Sequence, residues 1–252
     1  MAKIFITGSA DGLGQMAAKL LVQQGHQVVL HARNEERSKD VRILVPQAAQ
    51  VVVADLSSIA AIIGLAREVN TLGPFDAIIH NAAVFKGVET KRSEDNLPMT
   101  FAINTLAPYI LTCLIDKPKR LVYMSSDMHK GGDPHLTDLT NGTFQSTYSD
   151  TKLHDLILTM AVARKWPDVL VNAVHPGWVP TKMGGAGAPD DLDEGYLTQT
   201  WLAVSNDSEA KVSGRYFFHQ KETDFLQVAN DIMVQEQLLA LCERISGIPF
   251  PS

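Results

Sequence analysis

The sequence predicts an α/β fold: one doubly wound domain over residues 1–252, with a mostly parallel seven-stranded sheet flanked by helices on both faces. Three observations predict it. Short apolar runs alternate with helical patterns along the chain. The first run passes through a glycine-rich turn into a helix. No internal repeat, low-complexity tract or clear linker divides the 252 residues, a length that a single α/β domain fills.

Seven runs read as strands: KIFIT (3–7), QVVLHA (27–32), QVVVAD (50–55), FDAIIHNA (75–82), RLVYMSS (120–126), VLVNAVHP (169–176) and GRYFFH (214–219). Several are nearly continuous apolar stretches, as expected of strands covered on both faces. Between them, GQMAAKLLVQQ puts Met16, Ala17, Leu20 and Leu21 on one helical side. LHDLILTMAVARKW spaces Leu153, Leu156, Ile157, Met160 and Ala163 as a core-facing helical stripe. The longest helical pattern, SEDNLPMTFAINTLAPYILTCLI, holds two prolines. Pro98 fits a first helical turn, and Pro108 should bend the helix. The glycine-rich GGAGAPDD (184–191) reads as a flexible excursion, inside a substrate loop over about residues 182–200.

Composition narrows the function. Hydrophobic residues make up 45% and charged residues 20%, enough to bury a sizeable core. A formal net charge of −6, without a dense Lys/Arg run, excludes a general nucleic-acid binder. Cys113 and Cys242 sit in apolar, helix-like segments and do not suggest a disulfide framework. The opening MAKIFITGSA enters a strand at once and lacks a signal-peptide pattern. No run approaches the roughly 18 apolar residues of a spanning helix. A cytoplasmic location is expected.

The turn TGSADGLG carries Gly8, Gly12 and Gly14 ahead of a helix. Glycines there allow a tight turn and close approach of backbone to a pyrophosphate, whose charge the free N–H groups of the helix end favour. A ligand-free turn is the alternative, but the place between first strand and first helix favours a dinucleotide and a Rossmann-type domain.

Tyr148 and Lys152, in TYSDTKLHDL, lie about one helical turn apart and share a face. A free phenol has a pKa near 10, and a neighbouring ammonium lowers it toward operating pH. The pair is therefore either proton-transfer chemistry or two polar residues opening an amphipathic helix.

Taken together, the motifs resemble those of the short-chain dehydrogenase/reductase family, nearest its retinol-dehydrogenase-like and carbonyl-reductase-like branches. T-G-x-x-x-G-x-G is that family's cofactor loop, and the resemblance covers essentially the whole chain. It implies an NAD(P)-dependent oxidoreductase acting on CH–OH or C=O groups. It further implies that Gly8, Ser9, Gly12, Leu13 and Gly14 hold the pyrophosphate and that Asp55 and Leu56 meet the adenine. Asn81, Ala82 and Ala83 match the family's Asn-Ala-Gly, with Ala83 in place of the glycine. Pro176, Gly177, Val179 and Thr181 match the stretch near the nicotinamide, where Thr181 contacts the carboxamide. By the same resemblance Tyr148 is the general acid and base, and Lys152 also holds the nicotinamide ribose. Ser126 binds the substrate oxygen, with Ser125 the other candidate, and Asn104 anchors a proton-carrying water. A non-catalytic NAD(P)-binding sensor on the same fold is the alternative.

The second strand ends HARNEER, without the acid that binds the 2′-hydroxyl of NAD. Arg33 offers a charge-assisted bond to a 2′-phosphate, which favours NADP(H) over NAD. Asp11, where relatives that prefer NADP carry a cation, argues the other way unless it caps the helix or points aside. Met183, Trp178 and Phe85 are candidates for an apolar substrate pocket or for core packing. His129 and His135 lack a metal-ligand spacing and read as loop residues at the substrate mouth, so no metal is expected. The segment between Ser126 and Tyr148 is long, and the branch's usual tyrosine is replaced around Phe144. In carbonyl-reductase relatives such an insertion covers a surface used in tetramers. This weakens the default expectation of a tetramer; a homo-oligomer, dimer or tetramer, stays open, as does a monomer.

Overall fold

The computed structural model describes residues 1–134, 136 and 145–251. His135 and Phe144 lie outside the described residues. The chain runs β1 (Lys3–Ile6), α1 (Gly12–Gln23), β2 (Gln27–Ala32), α2 (Glu35–Leu44), β3 (Gln50–Val53), α3 (Ile59–Leu72) and β4 (Ala77–His80). A short helix α4 (Met99–Phe101), a π-helical segment (Ala102–Leu106) and α5 (Ala107–Leu114) follow as one continuous rod, then β5 (Arg120–Met124). The remainder is α6 (Tyr148–Lys165), β6 (Leu170–His175), α7 (Glu194–Val204), β7 (Arg215–Phe218), β8 (Lys221–Glu222) and α8 (Ile232–Ser246).

The sheet has the order β3-β2-β1-β4-β5-β6-β7-β8. The first seven strands pair in parallel, and each of the seven overlaps a predicted run. The eighth is a correction to the seven-strand expectation: two residues fold back antiparallel onto β7. Lys221 and Glu222 are both exposed, so no apolar pattern marks this edge strand.

Alternate strand residues feed two cores, as period-two geometry requires. Phe5, Val29, Val52, Ile78, Leu121 and Val171 face one layer, with α3, α5, α6 and α8. Ile4, Ile6, Val28, Leu30, Ile79 and Val122 face the other, with α1 and α7. Both faces are covered, which explains the continuous apolar runs. Side chains start the helices: Asp11 caps α1, Ser58 caps α3, and Thr147 with Asp150 forms a capping box on α6.

Two helices differ from the sequence reading. Pro98 is the residue before α4 rather than part of its first turn. The bend expected at Pro108 is realised upstream, as the π-helical segment centred on Asn104. Proline has no N–H and cannot bond the carbonyl four residues back, so the ladder re-registers there. The expected amphipathic α6 is instead buried on all sides from Asp150 to Val162. It packs against β5 and β6 beneath, and against α8 and the turn Asp127–Gly131 outside. Its polar residues are tolerated because they find internal partners: the His154 ring bonds Thr105 Oγ1 and the carbonyl of Pro134.

Buried histidines tie the fold to pH. His80 is enclosed at the end of β4, with Nε2 3.1 Å from Thr112 Oγ1, and burial pulls its pKa down to about 3. Burial pulls His31 down to about 4. The unfolded chain takes up these protons near 6.5, so each contribution is complete above that pH. Each is lost at about 1.4 kcal/mol per unit as pH falls toward the folded value. Calorimetric Tm is expected to be flat above pH 7 and to fall steadily below 6.5; a Tm that holds or rises from pH 7 to pH 5 contradicts this account.

Candidate active site

Leaving β1, the chain first builds outward to β2 and β3 and then returns to place β4 on the other side of β1. That reversal leaves a crevice beyond the carboxyl ends of the strands, where open α/β sheets bind ligands. A cavity of about 390 Å³ occupies it, lined from the loops after β1 through β6.

The glycine turn forms one wall. Gly8 has φ +63°, and a side chain there would meet the Ala82 Cα at 2.7 Å. Gly14 carries Asn81 so close that a Cβ would stand 2.4 Å from its Nδ2. Gly12, at φ +53°, has open space in front of it. The cradle is thus small because neighbouring backbone fills it from behind, while its front remains free for an anion. Thr7 Oγ1 accepts from the N–H groups of Asn81 and Ala82, and the Asn81 amide donates to the carbonyls of Thr7 and Gly8. His31 accepts from the Gly8 N–H through Nδ1 and bonds the Ala54 carbonyl through Nε2. Its neutral form is the one that can do both.

Two arginines stand at the end of the cavity beside β2 and α2. Arg33 is exposed and Arg37 half-buried, and both line the cavity with Asp55 and Leu56. Asp11 does not oppose them as a bare charge. Its carboxylate accepts from the Gly12 N–H and pairs with Arg37 at 2.6 Å and Lys182 at 2.7 Å. Burial works against that charge, yet Lys182 and Arg37 outweigh it and hold the carboxyl below its usual range. Asp11 therefore caps α1 and is neutralised by cations, the alternative its position left open.

The other end of the cavity holds Tyr148 and Lys152. The Lys152 side chain is 3% exposed, and its Nζ lies 5.4 Å from the Tyr148 ring centroid. The ammonium donates to the Met124 carbonyl at 2.7 Å and to Asp155 Oδ2 at 2.8 Å. Burial pushes the Tyr148 phenol up; Lys152 and a hydrogen bond with Ser126 pull against it. Burial also lowers Lys152, but Asp155 and Tyr148 more than compensate and leave it raised. Of the two serines, Ser125 lines the cavity and donates to the Lys152 carbonyl, whereas Ser126, outside the lining, hydrogen-bonds the phenol. The Asn104 side chain is spent on structure: Oδ1 accepts from Val84 N–H, and Nδ2 donates to the Val84 carbonyl and Thr151 Oγ1. Its main-chain carbonyl lacks the donor that Pro108 would have supplied.

Phe85 stacks over Tyr148 at 4.4 Å between centroids, and Met183 Sδ lies 4.0 Å from the Tyr148 hydroxyl. Trp178 is 58% exposed and tied by its indole N–H to the Gly184 carbonyl, so it belongs to the mouth rather than the core. Pro176, Thr181, Lys182 and Met183 close the near side. The substrate loop is shorter than expected: α7 begins at Glu194, so 194–200 are helical.

Most predicted site residues meet at this one cavity: Gly8, Gly12, Leu13, Arg33, Asp55, Leu56, Asn81, Ala82, Ala83, Tyr148, Lys152, Pro176 and Thr181 line it. Ser9 and Gly14 sit behind the wall, where Ser9 Oγ joins the Ile6 carbonyl to the His31 N–H. Val179 is 4% exposed and packs on Gly195, and Gly177 is pressed against Asp190. His129, expected at the substrate mouth, is buried. Its Nδ1 is 2.7 Å from the Ser126 carbonyl, and its Nε2 accepts from the Leu226 N–H. Sequence reasoning missed Arg37, Lys182 and Asp155. The i, i+3 spacing of Lys152 and Asp155 was visible, but it reads as a solvated helix pair.

The sequence model of the short chain dehydrogenase family matches residues 2–191. An uncharacterized oxidoreductase of Emericella nidulans is 46% identical over 256 residues, covering 100% of this chain and 99% of that protein. Retinol dehydrogenase 14 of Mus musculus is 32% identical, covering 97% of this chain and 86% of its own. Among solved structures, carbonyl reductase Sniffer of D. melanogaster aligns with a TM-score of 0.67 at 21% identity, over 87% of this chain and 97% of that one. A metagenomic blue fluorescent protein in complex with NADPH aligns with a TM-score of 0.70 at 19% identity, over 86% and 95%.

Proposed function

This chain belongs to the short-chain dehydrogenase family of oxidoreductases, and we propose that it is an NADP-dependent enzyme interconverting a carbonyl and an alcohol, with Tyr148 as general acid and base. The observation that carries the reading is the Tyr148–Lys152 pair facing the cavity at the switch point of the sheet. The nicotinamide, when bound, supplies or accepts the hydride. Every other task falls to the chain. The cradle from Gly8 to Gly14 receives the pyrophosphate, and Thr181 the carboxamide. Ser126 and Tyr148 hydrogen-bond the substrate oxygen. The phenol gives that oxygen its proton in reduction and takes it back in oxidation, and the Lys152 ammonium stabilises the phenolate. Asn104 holds a water that resupplies the proton. Phe85, Met183 and Trp178 give the mouth an apolar character suited to a hydrophobic carbonyl compound.

NADP(H) is preferred on the strength of two cations, Arg33 and Arg37, at the end of β2 and the start of α2, with Asp11 already neutralised. The protein acts in the cytoplasm; among the described residues no helix is long and apolar enough to cross a membrane. The cover that the chain's own α8 and the turn after β5 give α6 favours a monomer over a homo-oligomer that would use this face.

Three measurements test this reading. Tyr148→Phe is expected to lower NADPH-driven reduction across a panel of carbonyl compounds by about 100-fold or more while still binding NADPH. Unchanged turnover removes the proton donor. Arg33→Ala should weaken NADPH binding roughly 10- to 100-fold and leave NADH binding unaltered. Equal affinity of the unmodified protein for the two cofactors rejects the preference. Light scattering should return the monomer mass of 27.5 kDa, and a stable multiple of it rejects the monomer.

A further inference from the structure

Asp155 has no part in the chemistry assigned so far, yet it lies at its centre. It is 3% exposed, one turn beyond Lys152 on α6, and its Oδ2 is 2.8 Å from the Lys152 Nζ. The ammonium therefore sits between two partners. Its Nζ is 5.4 Å from the Tyr148 ring on one side and in contact with a carboxylate on the other. A lysine whose whole charge acted on the phenol would favour the phenolate strongly; a buried carboxylate at its back opposes that pull.

We propose that Asp155 is a positioning residue for the proton donor: held against Lys152, it offsets part of the ammonium's field at Tyr148 and so sets the alkaline limit of carbonyl reduction. The inference rests on the reading of Tyr148 as the proton donor. The charges that act on the phenol are those of Lys152, which favours ionisation, and Asp155, which opposes it. Burial pushes the Asp155 carboxyl itself up to about 6, so the pair is ionic at the neutral and alkaline pH where the phenol titrates. Among the described residues the neighbouring elements add no further charge at the phenol, and burial holds His129, on the turn after β5, and His175, at the end of β6, toward their neutral forms. Tyr123 on β5 feels Asp155, and Tyr216 on β7 feels Tyr148 and Asp127; burial raises both phenols, and they stay neutral. Asp127 is exposed and engaged with Lys130. Asp150, on the first turn of α6, serves the capping box.

The consequence is a protein whose tyrosine remains a proton donor further into the alkaline range than a Tyr–Lys pair alone would allow. The same pairing orients the lysine, because an ammonium bonded to both Met124 and Asp155 has one remaining donor to offer a ligand.

The test is the pH dependence of kcat/KM for NADPH-driven reduction in the unmodified protein, Asp155→Asn and Asp155→Glu. Asn keeps an acceptor for Lys152 and removes the charge; Glu keeps the charge. The alkaline limb of Asp155→Asn is expected at lower pH, and that of Asp155→Glu near the unmodified position. Ultraviolet titration of the phenolate, with Tyr148→Phe as the subtracted background, should show the Tyr148 step moving the same way. A lower rate with an unmoved limb and an unmoved phenolate step assigns Asp155 a merely structural role and overturns the proposal. Should Asp155→Asn not fold, Asp155→Ser, which leaves room for water, carries the comparison. Full activity of Tyr148→Phe removes the proton donor itself, an outcome distinct from an unmoved limb in an enzyme that still depends on Tyr148.

Discussion

A lysine ammonium shut away from water is the constraint from which the rest of the site follows. An unpaired buried charge is prohibitively costly, and one with incomplete hydrogen bonding is little better. Lys152 meets this demand with the carbonyl that ends β5 and with a carboxylate one turn along its own helix. The first bond locks α6 to the sheet; the second places a negative charge inside the core. Both require α6 to be enclosed, which α8 and the turn after β5 accomplish. Enclosure from the chain's own elements thus serves two ends at once. It lowers the local dielectric, so that Lys152 and Tyr148 act on each other strongly, and it occupies the outer face of α6.

The π-helical segment is the second place where local chemistry and site geometry are the same fact. Pro108 withholds a hydrogen bond from the carbonyl of Asn104, and the helix shifts register around that residue. Such irregularities concentrate at functional sites because they expose a backbone group that a regular helix would consume. Here the side chain of Asn104 braces the loop after β4 against Thr151 of α6. The irregular carbonyl is thereby held at a defined height beside the catalytic helix.

Most of the fold was legible because its signals are local and periodic. The seven parallel strands announced themselves as apolar runs, and the cradle as three glycines between the first strand and the first helix. β8 was not legible, since two exposed charged residues paired by a tight reversal leave no pattern. The enclosure of α6 was misread for a related reason. Asp150, Thr151, His154 and Asp155 look solvated in a sequence, and partners on their own helix and from distant segments make them tolerable inside. Arg37 and Lys182 stayed hidden because a cation's role depends on which carboxylate it reaches, here Asp11 from 26 and 171 residues away.

That three-way contact also changes how the cofactor loop should be understood. Asp11 caps α1, the helix that follows the glycine turn. Through Arg37 it touches the start of α2, and through Lys182 the start of the substrate loop. Exposed ion pairs of this kind add little stability, so their value lies in geometry. One carboxylate holds the adenine-side arginine and the substrate loop to the same turn of backbone. A lysine in place of Asp11 would bring one more positive charge to a phosphate but would sever this link. The acid that argued against a phosphorylated cofactor is therefore better read as a joint between the turn after β1, the start of α2 and the loop after β6.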